Sequence, residues 1–214
     1  GYGDVSCYNH DSKISTPHID KLADKGMMFT DAHSAASFCT PSRYSLLTGN
    51  YCWRSKATSM LYGGFDRPMI KKHEMTLGNL FQTCGYKTAA IGKWHLGMIW
   101  KLKDGKMAQN WQEVDYVSPL VYTPIDQGFD YYFGTSGCTS DDLPFAFIEN
   151  RKIIGLPMGK KKVKMLAGPG EIEEMEVPLA SKDWAHERAD TIFTNKAITS
   201  YFVLHNGIVT QMLF

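Results

Sequence analysis

The chain has 214 residues, of which 43% are hydrophobic and 21% charged, with a formal net charge of +1. That length supports one domain with a substantial core, and the composition is ordinary for a globular protein. The charge balance excludes bulk attraction to nucleic acid or an anionic membrane, and no apolar run is long enough to span a bilayer. Cys7, Cys39, Cys52, Cys84 and Cys138 form no C-x-x-C pair and no metal-finger spacing, so they are not a disulfide scaffold.

Gly1-Tyr2-Gly3-Asp4 reads as a loop, and without an initiating Met the chain reads as a fragment. Asp4 and Asp11 read as solvated loop residues. Thr16 to Gly26 predicts a helix: Thr16 caps, Pro17 starts, Ile19, Leu22 and Ala23 form one apolar face, and Gly26 stops it. Met27 to Ala32 predicts a strand that feeds the loop carrying Cys39. Thr40 is the expected N-cap of the next helix, Pro41 its first residue, Leu46 and Leu47 its apolar side, and Gly49 its left-handed end. Cys39 then sits just before a helix N-terminus, whose free N–H groups and partial positive charge favour anions and lower a thiol's pKa. Arg43, one turn in, is placed to reach back toward it. Taken alone, Cys39 would be a buried, inert thiol.

Tyr51 to Lys72 is irregular. Trp53 anchors it as a surface loop, or lines a substrate approach together with Arg54. Thr76 caps a second helix with Leu77, Leu80, Phe81 and Cys84 on one face, which makes Cys84 a core residue. Tyr86 to Ile91 is a short buried strand. Gly92 to Gly97 leaves its end carrying Lys93 and His95, by themselves a solvated lysine and a satisfied histidine. Residues 98 to 127 read as a long loop packed down by Met98, Ile99, Trp100 and Trp111. Asp141-Asp142 offers a metal pair but reads as an exposed turn. Phe145 to Ile148 and Lys152 to Ile154 predict a hairpin. Residues 155 to 181 read as polar and flexible, with the basic Lys160 to Lys164 balanced by the acidic Glu171 to Glu176. Asp183 to Tyr201 predicts a helix.

Two strings carry a family resemblance. Cys39-Thr40-Pro41-Ser42-Arg43, followed by Leu46-Leu47-Thr48-Gly49, resembles the hallmark of the type I, formylglycine-dependent sulfatases. Gly85-Tyr86-x-Thr88-x-x-Ile91-Gly92-Lys93-Trp94-His95 resembles their second motif, in the right order. The Thr16-Pro17 helix and Gly128-Phe129-Asp130 are similar to further family segments. The resemblance implies an α/β fold with an alkaline-phosphatase-like sheet and flanking helices, incomplete in this chain. It implies a partial catalytic domain over residues 1–201 and a divergent tail over 202–214, in which His205-Asn206 is no convincing replacement for the family's Asp-Asn calcium pair.

It also implies an arylsulfatase-like sulfuric ester hydrolase. Cys39 would be oxidised to formylglycine by a formylglycine-generating enzyme, and would contribute to a Ca2+ site whose other ligands fall outside the chain. Arg43 would support the nucleophile, His95 would hydrogen-bond its diol, and Lys93 would bind the sulfate. A lysine point charge suits such an anion. One of Ser136, Cys138 and Ser140 would face the substrate, a sulfated small molecule or glycan. A secreted, periplasmic or lysosomal location is expected, and no activity from this stretch alone. The alternatives are a phosphate or phosphonate ester hydrolase on the same scaffold and a non-catalytic remnant.

Overall fold

The computed structural model of the chain describes residues 2–55, 62–103, 111–156, 158–168, 171–203 and 209–213. It divides into two compact units, residues 1–34 and 35–214.

The first unit holds helix α1 (Pro17–Lys25), with Thr16 at its N-cap and Pro17 in its first turn as expected. The Thr16 hydroxyl does not cap the backbone, however. It lies 2.6 Å from Ser6 Oγ and donates to Asp20 at 3.1 Å. Asp20 also accepts from the Cys7 backbone N–H, so polar side chains rather than an apolar face tie α1 to the loop before it. Ile19 and Leu22 are exposed. Met27 to Ala32 form no strand. Met27, Met28 and Phe29 stand exposed, and the Phe29 carbonyl accepts from the Tyr8 hydroxyl rather than from a neighbouring strand.

The second unit contains α2 (Cys39–Thr48), α3 (Leu77–Thr83), β1 (Lys87–Lys93), β2 (Tyr131–Thr135), β3 (Ile148–Glu149), β4 (Lys152–Ile153), β5 (Met158–Gly168), β6 (Glu171–Ser181), α4 (Ala189–Val203) and β7 (Val209–Leu213). Five strands make one mixed sheet in the order β4-β3-β2-β1-β7. Strand β1 is parallel to both neighbours, while β2–β3 and β3–β4 are antiparallel. Residue 209 begins a strand that pairs with β1, Lys87 opposite Val209, so part of the 202–214 segment joins the sheet. His205 and Asn206 lie outside the described residues.

Strand β1 lies inside the sheet between β2 and β7, and it is buried on both faces, as parallel strands are. Ala90 shares a core with Tyr44 and Leu47 of α2, Trp94, Trp100, Phe129 and Tyr132. Ala89 and Ile91 face the other way, onto Ala197 and Phe193 of α4. Helices therefore cover both sides of the sheet. Each fully buried large apolar side chain contributes about 1.5–3 kcal/mol relative to exposure. The β1–β2 register sets Gly92 opposite Gly134, and a Cβ on Gly134 would lie 1.7 Å from the Gly92 carbonyl oxygen.

Several expectations need correction. Thr76 does cap α3, in a reciprocal box with Asn79, but Cys84 is exposed and not core. The seven-residue helix instead docks through Gly78, which packs against the Gly128 backbone. Trp53 is exposed and stacks on Tyr51, while its neighbour Cys52 is buried. Within 98–127 the fully buried Trp100 donates to the Gly64 carbonyl, and isolated bridges join Ile99 to Tyr122 and Leu102 to Val114. Residues 158–168 and 171–181 form the long antiparallel β5–β6 pair rather than a flexible loop. Val163 and Val177 bury one side of it beside Trp184, and Lys161 donates to the Lys182 and Trp184 carbonyls. Helix α4 begins at Ala189, after a 3-10 turn over His186–Arg188. Among the described residues, no helix is long and apolar enough to cross a membrane.

Candidate active site

The parallel pairing of β1 and β2 brings the loops after both strands to one carboxyl edge of the sheet, where α/β folds place their ligands. Helix α2 starts at the same edge. Its N-cap is Phe38, so Cys39 is the first helical residue rather than the one before the helix. Thr40 is therefore not the cap. It is fully buried, and its hydroxyl donates to the His95 carbonyl at 3.2 Å and lies 3.5 Å from His95 Nδ1. Gly49 closes α2 in the left-handed conformation, as expected.

Beyond β1 the backbone stays tied to β2. Trp94 N–H donates to the Thr135 carbonyl and His95 N–H to the Ser136 carbonyl. The buried Trp94 indole N–H then bonds the Gly97 carbonyl and locks the turn. His95 adopts φ 57°, a left-handed conformation uncommon outside glycine. These restraints hold the ring, which is only 4% exposed, against α2. Its Nδ1 lies 3.2 Å from Cys39 Sγ. Its Nε2 lies 3.1 Å from Asp142 Oδ2, in ion-pair range but without the alignment of a hydrogen bond.

The remaining groups surround that axis. Lys93 Nζ stands 2.6 Å from Cys138 Sγ. Asp142 Oδ2 accepts from the Cys138 backbone N–H at 2.7 Å. Arg43 Nη1 donates to the Lys93 carbonyl at 2.7 Å, which ties α2 to the end of β1.

Charge follows this geometry. Partial burial pushes the Cys39 thiol up, but the positive charges of His95 and Lys93, the His95 hydrogen bond and the Thr40 backbone N–H outweigh it, and the net direction is down. Burial pushes the Cys138 thiol up. Lys93 opposes this and the Asp141 and Asp142 carboxylates add to it, leaving it raised. Burial also works against the Asp142 carboxylate, yet the His95 ring beside it and the Cys138 backbone N–H that it accepts hold it below the usual range.

The structure thus brings Cys39, Arg43, Lys93 and His95 together. Of the three candidates on the β2 loop, Cys138 joins them. Ser136 is buried behind, offering its carbonyl to His95, and Ser140 is exposed and bonded to Asp141. The Asp141-Asp142 turn is exposed only at Asp141; Asp142 is half-buried against His95. Asp142 and Thr40 are the two residues of this cluster that sequence reasoning missed. The available signal for Asp142 was its place on the same loop as Cys138, following the strand beside β1. Asp4 and Asp11, in the first unit, are exposed as expected.

The Sulfatase family profile matches residues 1–199. An N-acetylgalactosamine-6-O-sulfatase from Bacteroides thetaiotaomicron is 38% identical over 156 residues, covering 73% of this chain and 28% of its own. Human arylsulfatase H is 37% identical over 158 residues, 67% of this chain and 25% of its own. The chain thus spans about a quarter of the length of these curated relatives. A solved structure from work on the metabolism of multiple glycosaminoglycans by Bacteroides thetaiotaomicron superposes with a TM-score of 0.76 at 29% identity, over 99% of this chain and 48% of that one. A sulfatase from Pseudoalteromonas sp. shares the fold at a TM-score of 0.58 and 23% identity, over 99% of this chain and 40% of its own. The architecture is the alkaline-phosphatase-like α/β fold, and the chain belongs to the sulfatase family.

Proposed function

We propose that this chain supplies the nucleophile and sulfate-contacting residues of an arylsulfatase-like sulfuric ester hydrolase acting on sulfate monoesters of a small molecule or glycan. The observation that carries this reading is the 3.2 Å contact between Cys39 Sγ and His95 Nδ1, on the edge where Lys93 and Arg43 converge. Sulfatases generally use a formylglycine and calcium. A formylglycine at position 39 would supply a hydrated aldehyde, one hydroxyl of which attacks sulfur while the other allows the sulfate to be expelled.

The chain's own residues serve that chemistry. With the ring proton on Nε2 facing Asp142, His95 presents a free Nδ1 lone pair to position 39 and can take a hydroxyl proton there as a general base. Lys93, half-buried, offers a point charge to the sulfate oxygens as negative charge grows on them. Arg43, mostly desolvated, fixes the Lys93 backbone and adds positive charge to the same edge. A formylglycine-generating enzyme would read the string from Cys39 through Arg43; Thr40 and Pro41 within it are buried in the folded chain, so conversion would precede folding.

Calcium takes six to eight oxygen ligands. Among the described residues, the metal-type donors grouped beside Cys39 are His95, Cys138 and Asp142, with the Lys93 amine on Cys138. One carboxylate, one imidazole and one thiol do not make a calcium site, and no step here runs through calcium. The family resemblance implies a secreted, periplasmic or lysosomal protein.

The test is turnover by the complete gene product, comparing an aryl sulfate with the matching aryl phosphate. The sulfate should be preferred, and Cys39→Ser should abolish its turnover, because a serine ester lacks the second hydroxyl. Preference for the phosphate would move the chain to the alternative ester class, and no turnover of either would leave a non-catalytic remnant.

A further inference from the structure

We propose that His95, Cys138 and Asp142 form a binding site for a borderline divalent cation, zinc by its chemistry, and that filling it switches off the site described above. The second half of this statement rests on the proposed function; the first does not.

An imidazole nitrogen, the Cys138 sulfur and an Asp142 carboxylate oxygen all lie within 4.8 Å of one another. Zinc binds histidine nitrogen and carboxylate oxygen at about 2.0–2.2 Å in a tetrahedron, which separates such a pair of ligands by roughly 3.3 Å. The observed 3.1 Å between His95 Nε2 and Asp142 Oδ2 matches that span. A nitrogen, sulfur and oxygen donor set suits zinc and suits neither calcium nor magnesium. Water would complete the fourth position, as in zinc sites that keep one open.

The second observation concerns His95 itself. The residue is 4% exposed, and its Nε2 has no hydrogen-bond partner although it points at a carboxylate. Buried polar atoms left so are rare and costly, and a missing ion is a standard reason for one. The outer shell is in place. The Asp142 oxygen accepts from the Cys138 backbone N–H, and the far ring nitrogen is held by Cys39 and Thr40, which fixes the ring plane.

The Lys93 amine, 2.6 Å from Cys138 Sγ, is the group a cation would displace. Its four-carbon stem allows it to swing aside once the thiol proton is released to solvent and the sulfur binds metal. Two consequences follow for catalysis. Lys93 leaves the position from which it meets sulfate. The metal also takes the Nε2 lone pair, so the ring proton sits on Nδ1, and His95 turns from acceptor to donor toward position 39. A base for the nucleophile is lost in the same event.

The experiment is titration of the full chain with zinc chloride by calorimetry, and with cobalt chloride by absorption. One equivalent should bind, with a thiolate-to-cobalt charge-transfer band. Cys138→Ser should remove the band, and Cys138→Ser and Asp142→Asn should each weaken zinc binding at least about tenfold. Cys84→Ser should keep both band and affinity. Far-UV circular dichroism checks each variant's fold. If Cys138→Ser does not fold, the band on the unsubstituted chain and the affinity of Asp142→Asn decide. Absence of the band, full affinity in Asp142→Asn or Cys138→Ser, or loss of the band in Cys84→Ser would overturn the assignment. Because the readout is binding, a failed sulfate assay leaves this result standing, and a failed titration leaves the sulfatase reading standing.

Discussion

The Cys39 sulfur and His95 Nδ1 meet at 3.2 Å across 56 positions of sequence. One sits on the first turn of a helix and the other just past the end of β1, so the contact exists only when α2 is packed on β1. The unconverted thiol reports on that contact. Burial raises its pKa, but the His95 and Lys93 charges bring it down overall, and the thiolate is the reactive form. Alkylation of Cys39 by iodoacetamide should therefore reach half its maximal rate at a lower pH than an ordinary thiol, whose pKa is about 8.5. His95→Ala should move that midpoint upward. An unchanged midpoint would place the ring away from the sulfur.

Lys93→Ala and Trp94→Phe separate charge from packing. In the complete gene product, loss of the Lys93 charge should lower kcat/KM for an aryl sulfate roughly a hundredfold, about 3 kcal/mol of transition-state stabilisation. Trp94 packs edge-on against Phe129 and bonds the Gly97 carbonyl. Its replacement should cost about 1–3 kcal/mol of stability and much less in rate. Steady-state kinetics and urea unfolding measure the two effects. Equal, mild losses from both would relegate Lys93 to the surface.

Gly134→Ala tests the register that brings the two loops together. The new Cβ would lie 1.7 Å from the Gly92 carbonyl, a backbone group held inside the sheet with no flexible end to yield. The chain should lose about 3 kcal/mol or more in urea unfolding. Gly159→Ala, with nothing within 4 Å of its Cβ, should change little. Similar stabilities for both variants would mean that β1 and β2 are not so closely paired.

Asp142 gives a pH signature. Its folded carboxyl is held down by His95 and Cys138 against the cost of burial. A depressed acid stabilises the fold fully above its unfolded pKa, about 3.9, and loses that contribution as pH falls through the folded value. The stability gap between the parent and Asp142→Asn should therefore be widest near neutral pH and shrink as the solution is acidified below about pH 4. Denaturant unfolding at a series of pH values checks this. A gap that stays constant into acid would show that the carboxylate is not tied to His95.

What the sequence disclosed follows the range of the interactions involved. Capping at Thr76, the Pro17 start of α1 and the Gly49 stop of α2 are local and were readable. So were Cys39, Arg43, Lys93 and His95, because each belongs to a contiguous string. Asp142 was not, since its inward turn depends on β2 lying beside β1. Cys84 has the right helical spacing, but α3 is short and docks through Gly78, which no hydrophobic period reveals. In residues 158–168 and 171–181 the charges concealed a strand pair. Their alternation was the signal: Lys162 pairs across with Glu176 and Lys164 with Glu174, while Val163 and Val177 turn inward. Met27 to Ala32 shows the reverse, an apolar run that stays irregular without a partner strand.

The central claim is that Cys39 is the precursor of the nucleophile, and mass spectrometry of its tryptic peptide tests it most directly. The chain is co-expressed with a formylglycine-generating enzyme, alongside a sulfatase known to be converted. The account predicts an aldehyde in place of the thiol at position 39, trapped by a hydrazide probe, with Cys138 and Cys84 unmodified. Unmodified cysteine at position 39, in a sample whose control sulfatase is fully converted, would contradict it.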